Sequence, residues 1–158
     1  MPDSQKISEK QSEYMNLIAE IMDIRKRGEK PVAYIRTYGC QQNVADSEKI
    51  KGMLEQSGFE FADEPDNADF ILFNTCAVRE HAEDRVFGNV GALKNLKRKH
   101  PQILIALCGC MMEQEHIANR IYKSFPFVGL VFGTHSLHHF PELMYNACLL
   151  YTSDAADE

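Results

Sequence analysis

Short, wholly apolar runs set between helix-forming stretches constrain this chain more than any other feature. Phe70–Phe73 and Ile103–Leu107 contain no polar residue. Strands of that kind are buried on both faces, as in a parallel sheet covered by helices on each side. Around them the sequence reads as strands at Val32–Tyr38, Phe59–Phe61 and Val128–Phe132. Helices are expected at Asp46–Ser57, Glu80–Lys99, Glu113–Lys123 and Pro141–Ala147, where Ile50, Met53 and Leu54, and then Val86, Val90, Leu93 and Leu96, recur at helical spacing.

Strands alternating with helices predict the α/β class: an open, mostly parallel Rossmann- or flavodoxin-like sheet with helices on both faces. Residues 1–30 form an N-terminal helical extension ahead of it. Tyr14, Leu17, Ile18, Ile21 and Met22 make one apolar stripe, Arg25, Lys26 and Arg27 load the last turn, and Gly28 and Pro31 end it. Asn43 and Asp46 are read as caps of the Asp46–Ser57 helix. The domain proper covers residues 31–147. Residues 148–158, beginning at Cys148, break the pattern and resemble the translation of a sequencing adapter, so they are set aside. Asp154, Asp157 and Glu158 in that tail supply half of the net charge of −6.

Composition narrows the function classes. With 44% hydrophobic and 25% charged residues the chain is an ordinary globular sequence. It has no run of about 18 apolar residues to span a membrane, and Met1–Lys6 opens no secretory signal. A cytoplasmic, reducing location is expected, where cysteines are free, catalytic or metal-bound. The acidic balance argues against the chain gripping nucleic acid alone.

Setting Cys148 aside, four cysteines remain: Cys40, Cys76, Cys108 and Cys110. None makes a Cys-x-x-Cys pair. Cys40, Cys76 and Cys110 each fall at the carboxyl end of an expected strand, the edge where open α/β sheets bind ligands. In strand order 2-1-3-4-5 these are strands 1, 3 and 4, neighbours at the switch point. On residues alone, three converging thiolates suit an iron–sulfur cluster with one open iron, a Cys₃ zinc site, or simply three buried thiols. Cys108 is read as core packing. Gly39 and Gly109, beside Cys40 and Cys110, serve either close approach of a ligand or a tight turn. His135, His138 and His139 read as a solvated segment, and Lys94, Lys97, Arg98, Lys99 and His100 as a helix-end patch.

The motifs around these cysteines carry a resemblance. Thr37-Tyr38-Gly39-Cys40-Gln41-Gln42-Asn43-Val44-Ala45-Asp46-Ser47-Glu48 resembles the opening motif of the radical-SAM methylthiotransferases. Asn74-Thr75-Cys76-Ala77-Val78-Arg79-Glu80-His81-Ala82-Glu83 is similar to their second motif, and Gly109-Cys110-Met111-Met112-Glu113-Gln114 to the third. Phe132-Gly133-Thr134-His135 matches the end of the same domain. The Thr-Tyr-Gly-Cys and Cys-x-Val-Arg-Glu forms point to the tRNA branch that acts on N6-isopentenyladenosine, and the likeness runs from about Pro31 to Ala147.

The resemblance implies an auxiliary [4Fe–4S] cluster held by Cys40, Cys76 and Cys110. It further implies a radical-SAM domain with its own Cys-x-x-x-Cys-x-x-Cys cluster, and a small C-terminal RNA-binding barrel. Conversion of N6-isopentenyladenosine at tRNA position 37 to its 2-methylthio derivative is the implied reaction. Partners would be tRNA, SAM and a sulfur donor, with no membrane and a monomeric state. These 158 residues contain no Cys-x-x-x-Cys-x-x-Cys, so the chain is expected to be an N-terminal piece, inactive alone. The alternatives are a non-catalytic flavodoxin-like ligand-binding module, against which the first loop lacks a phosphate cradle, and a zinc-binding domain.

Overall fold

Among the described residues the sheet has five strands: β1 (Val32–Thr37), β2 (Glu60–Phe61), β3 (Phe70–Thr75), β4 (Leu104–Gly109) and β5 (Leu130–Phe132). They lie in the order β2-β1-β3-β4-β5 with every pair parallel, as the alternating pattern predicts. The computed structural model describes residues 2–39, 41–76 and 80–157, with the backbone alone for 2–8, 80–83 and 151–157. The helices are α1 (Pro2–Lys26), α2 (Gln41–Gln56), α3 (Glu80–Lys99), α4 (Glu115–Ser124) and α5 (Phe140–Asp157).

All six residues of β3 and of β4 are buried. Alternate side chains feed two apolar layers. Phe70, Leu72, Leu104 and Ala106 pack with Ile18 and Met22 of α1, Ile50 and Leu54 of α2 and Met144 of α5. Ile71, Phe73, Ile105 and Leu107 pack with Val86, Phe87 and Val90 of α3 and Ile117 and Ile121 of α4. Each fully buried Leu, Ile or Phe is worth about 1.5–3 kcal/mol of apolar burial. The two layers clamp the sheet between its helices. Among the described residues, no helix is long and apolar enough to cross a membrane.

Several boundaries differ from the sequence reading. Helix α2 begins at Gln41, not Asp46, so Asn43 and Asp46 lie within it rather than ahead of it. Asn43 is instead tethered to β3, and Asp46 accepts a hydrogen bond from Gln42 Nε2 at 2.9 Å. On α1 the inward stripe is Gln11, Met15, Ile18 and Met22, with Leu17 exposed. The helix packs mainly on α5 and also on α2; Ile18 and Met22 of the expected stripe are buried there and Ile21 packs against the same layer. Glu113 ends a 3₁₀ turn (Cys110–Glu113) rather than starting α4, and a second 3₁₀ segment spans Thr134–His139. Helix α5 runs on past Ala147 to Asp157. Met144, Ala147 and Cys148 continue one buried stripe, so the helical spacing does not stop at the expected boundary.

Candidate functional site

Cys76 and Cys110 are the residues that immediately follow β3 and β4. The last registered pair of those strands is Thr75 with Gly109, so the two cysteines leave neighbouring strands at one level, where backbones are about 4.8 Å apart. Cys76 is buried and Cys110 half-buried. The Cys110 thiol points at the Thr75 carbonyl oxygen, 3.9 Å away. Cys40, the third expected ligand, lies outside the described residues, but its chain neighbour Gly39 does not. A Cβ at Gly39 would collide with Cys76 Cβ and lie 3.3 Å from its Sγ. Three chain segments therefore meet at the carboxyl edge where β1 and β3 part company in sequence order.

The two glycines answer the question the sequence left open. Both have a positive φ, +115° at Gly39 and +110° at Gly109. Their missing Cβ atoms make room for the protein itself: Cys76 at Gly39, and the Thr75 backbone at Gly109. They bring strand ends together, and through that the thiols.

Beneath the cysteines lies a buried polar network that sequence reasoning did not anticipate. Asn74 Nδ2 donates to the Asn43 carbonyl (2.8 Å) and to Ser47 Oγ (3.0 Å), and Asn43 Nδ2 donates to Asn74 Oδ1 and the Thr75 carbonyl, both at 3.0 Å. Ser47 Oγ also shares a hydrogen bond with Thr37 Oγ1, 2.7 Å. Thr75 Oγ1 donates to the Cys108 carbonyl at 2.7 Å. The only hint in the sequence was two polar residues closing an otherwise apolar strand. On the other face Tyr38 accepts from Asn89 Nδ2 at 2.8 Å. Burial raises its pKa, so the phenol stays protonated.

Cys76 and Cys110 line a groove of about 1050 Å³. Gln42, Asp46, Lys49, Met53 and Gln56 form its α2 wall, a single helical stripe leading away from the cysteines. Gln11, Ser12 and Met15 of α1 face them, and Thr134, His135 and His138 form the rim. The site has room for a bulky group beside the thiols, and sulfur donors of this kind suit an iron–sulfur cluster or zinc. Among the described residues no three His, Cys, Asp or Glu side chains stand close enough to hold a metal; the third thiol expected here is that of Cys40.

The remaining candidates separate cleanly. Cys108 is buried in the α1/α2/α5 layer, and burial pushes its thiol far up, so it packs, as expected. Cys148 lies near Phe70 and Leu104, the first residues of β3 and β4, at the opposite edge. In the basic patch, Lys97 donates to the carbonyls of Pro101 and Ile103, 2.6 Å each, closing the end of α3. Burial lowers its pKa to about 8. His135 is paired with Glu113 (3.5 Å) and His139 with Glu142 (3.9 Å).

Glu113 is held well into its ionised form, first by the Thr134 hydroxyl and then by the backbone N–H and imidazole of His135. With a depressed folded pKa, its contribution is fully present above the unfolded carboxylate value of about 4.3 and is lost as pH falls through the lower folded value. Glu113→Ala should therefore melt below wild type at pH 7 and converge with it as pH falls through the depressed folded value, by calorimetry at fixed salt. A gap that stays constant with pH would show that ionisation of the carboxylate contributes nothing.

A family described as uncharacterized protein family UPF0004 matches residues 32–133. The chain belongs to this family. The matched range contains Cys40, Cys76 and Cys110 and ends at Gly133; α1 lies before it. Three relatives named tRNA-2-methylthio-N(6)-dimethylallyladenosine synthase illustrate the similarity. The chain is 53% identical to that of Caldicellulosiruptor saccharolyticus over 122 residues, 77% of this chain and 26% of the relative. It is 50% identical to that of Clostridium beijerinckii over 131 residues, 82% and 29%, and 48% identical to that of Halalkalibacterium halodurans over 132 residues, 84% and 24%. The chain thus spans about a quarter of the length of these relatives.

Proposed function

We propose that this chain is the cluster-holding part of a tRNA methylthiotransferase, with Cys40, Cys76 and Cys110 as the ligands of a [4Fe–4S] cluster. The observation that carries the reading is the meeting of Cys76, Cys110 and the Gly39 backbone at one sheet edge. The names of the relatives support the transferase activity and the tRNA substrate.

A cluster held by three thiolates keeps one iron open to an external sulfur ligand, and that is the chemistry it supplies. The chain's own residues do the rest. Asn43, Asn74 and Ser47 fix the strand ends beneath the thiols. Gly39 and Gly109 let the strand ends close up. The groove beside the cysteines leaves space for an incoming sulfur species. SAM, the sulfur donor, the N6-isopentenyladenosine at tRNA position 37, a monomeric state and a cytoplasmic setting belong to the proposal for the whole protein. A radical-SAM domain with a second [4Fe–4S] cluster belongs to it too.

Anaerobic reconstitution of the chain with iron and sulfide tests this. About four irons per chain are expected, lost in Cys40→Ala, Cys76→Ala and Cys110→Ala and kept in Cys108→Ala. No iron in a folded chain, or equal loss in Cys108→Ala, overturns the ligand assignment. One tightly held zinc would favour a structural metal domain, and a bound flavin would favour a ligand-binding module.

A further inference from the structure

Glu113 ends the 3₁₀ turn that Cys110 begins, and it reaches across to the rim of the groove. Its Oε1 accepts from Thr134 Oγ1 at 2.9 Å and from the His135 backbone N–H at 3.4 Å, with the His135 imidazole 3.5 Å away. A carboxylate is acceptor-only and can take both donors at once. The preceding residue fits the same purpose: a Cβ at Gly133 would stand 2.5 Å from Glu113 Cγ and 2.8 Å from Oε1. Only a residue without a side chain lets the carboxylate lie against the strand end here.

The two partners are anchored very differently. Met111 and Met112 of the cysteine turn are buried in the core. The Thr134–His139 segment contains no buried residue, and only Leu137 packs partly against a core layer. The turn is fixed, whereas between the buried Phe132 and Phe140 the Thr134 and His135 end of the rim is held by its polar ties to Glu113. Thr134, His135 and His138 of that rim line the same groove as Cys76 and Cys110.

We propose that Glu113 is a positioning residue whose carboxylate latches the Thr134–His139 rim to the Cys110 turn, so that the latched rim limits what reaches the cysteine site. The consequence for a cluster rests on the function proposed above, while the latch itself does not. Losing the carboxylate frees Thr134 and His135 to swing out and opens the cysteines to larger groups and to oxidants.

The test uses the whole chain without iron first. Modification of Cys110 by a bulky maleimide is followed by peptide mass spectrometry in wild type, Glu113→Ala and Glu113→Gln. In Glu113→Ala the rate should rise about tenfold, as when hydrogen bonds to a charged acceptor are lost from a local opening equilibrium. In Glu113→Gln, whose amide oxygen still accepts both donors, it should stay within about twofold of wild type. The rate with small iodoacetamide should change less than the maleimide rate in every variant. After reconstitution with iron and sulfide, bleaching in air should be faster in Glu113→Ala and not in Glu113→Gln. A wild-type maleimide rate in Glu113→Ala, or Glu113→Gln as fast as Glu113→Ala, overturns the latch. The expected maleimide pattern in a chain that takes up no iron leaves the latch standing and sinks the cluster reading instead.

Discussion

Gly109→Ala should destabilise the domain by about 4–5 kcal/mol and lower its Tm by roughly 10–15 °C. Two effects add. Gly109 has φ +110°, outside the region that L side chains occupy, and such a backbone costs about 1–3 kcal/mol for a residue with a Cβ. The added Cβ would also drive into the Thr75 carbonyl oxygen, 2.7 Å from Thr75 N and 2.9 Å from Asn74 Oδ1. These are atoms of a paired, fully buried strand and of the network below the cysteines. They cannot move aside without breaking the Thr75–Gly109 register. Gly39→Ala makes the informative comparison. Its Cβ meets the side chains of Cys76 and Asn43 rather than a strand backbone, so it should displace Cys76 and cost iron binding with a smaller loss of Tm. Calorimetry with iron content read beside it separates the two. An unchanged Tm for Gly109→Ala would mean that the β3 and β4 ends can part freely, and the convergence of Cys76 and Cys110 would lose its structural basis.

The sheet was legible because its signal is hydrophobic and local. Phe70–Phe73 and Ile103–Leu107 announce doubly buried strands, and the helical stripes between them leave the order 2-1-3-4-5 as the natural winding. The sequence is silent where polar residues are buried for reasons that lie elsewhere in the chain. β3 extends through Asn74 and Thr75, and β4 through Cys108 and Gly109, because Asn43 and Ser47 of α2 and a side chain of the neighbouring strand satisfy the polar groups there. The start of α2 was hidden for the same reason: Asn43 lies inside the helix, and its Nδ2 donates to β3. The Thr134–His139 rim has no periodic apolar pattern, and a carboxylate 21 residues earlier holds it. Cys76 and Cys110 were placed at the sheet edge by strand counting alone, and their registered level depends on the parallel pairing.

Asn74 is where that long-range satisfaction is most concentrated, and its replacement should produce the second large effect. It is 1% exposed and ties β3 to α2, which carries the groove's longest wall. Asn74→Leu removes three hydrogen bonds, those with Asn43 Nδ2, the Asn43 carbonyl and Ser47 Oγ. At about 1 kcal/mol each, with a further desolvation cost for the groups that lose a partner, the expected loss is roughly 3–4 kcal/mol. Asn74→Asp distinguishes a lost network from simple misfit. It keeps the acceptor facing Asn43 Nδ2 but turns the donor toward the Asn43 carbonyl into a second oxygen. A buried carboxylate facing a carbonyl has its folded pKa raised above the unfolded value of about 3.9. Between those two values the folded chain binds more protons than the unfolded one, so stability falls as pH rises. Asn74→Asp should therefore be markedly more stable at pH 5 than at pH 7.5, where the protonated acid can again donate to the Asn43 carbonyl, while Asn74→Leu should show no such slope relative to wild type. The sign is opposite to that of Glu113, whose depressed pKa makes acid the destabilising direction. Denaturant melts of both variants at the two pH values decide it. A flat Asn74→Asp profile would mean that α2 can withdraw from β3 at little cost, and then the thiols above it would not be held in place by this network.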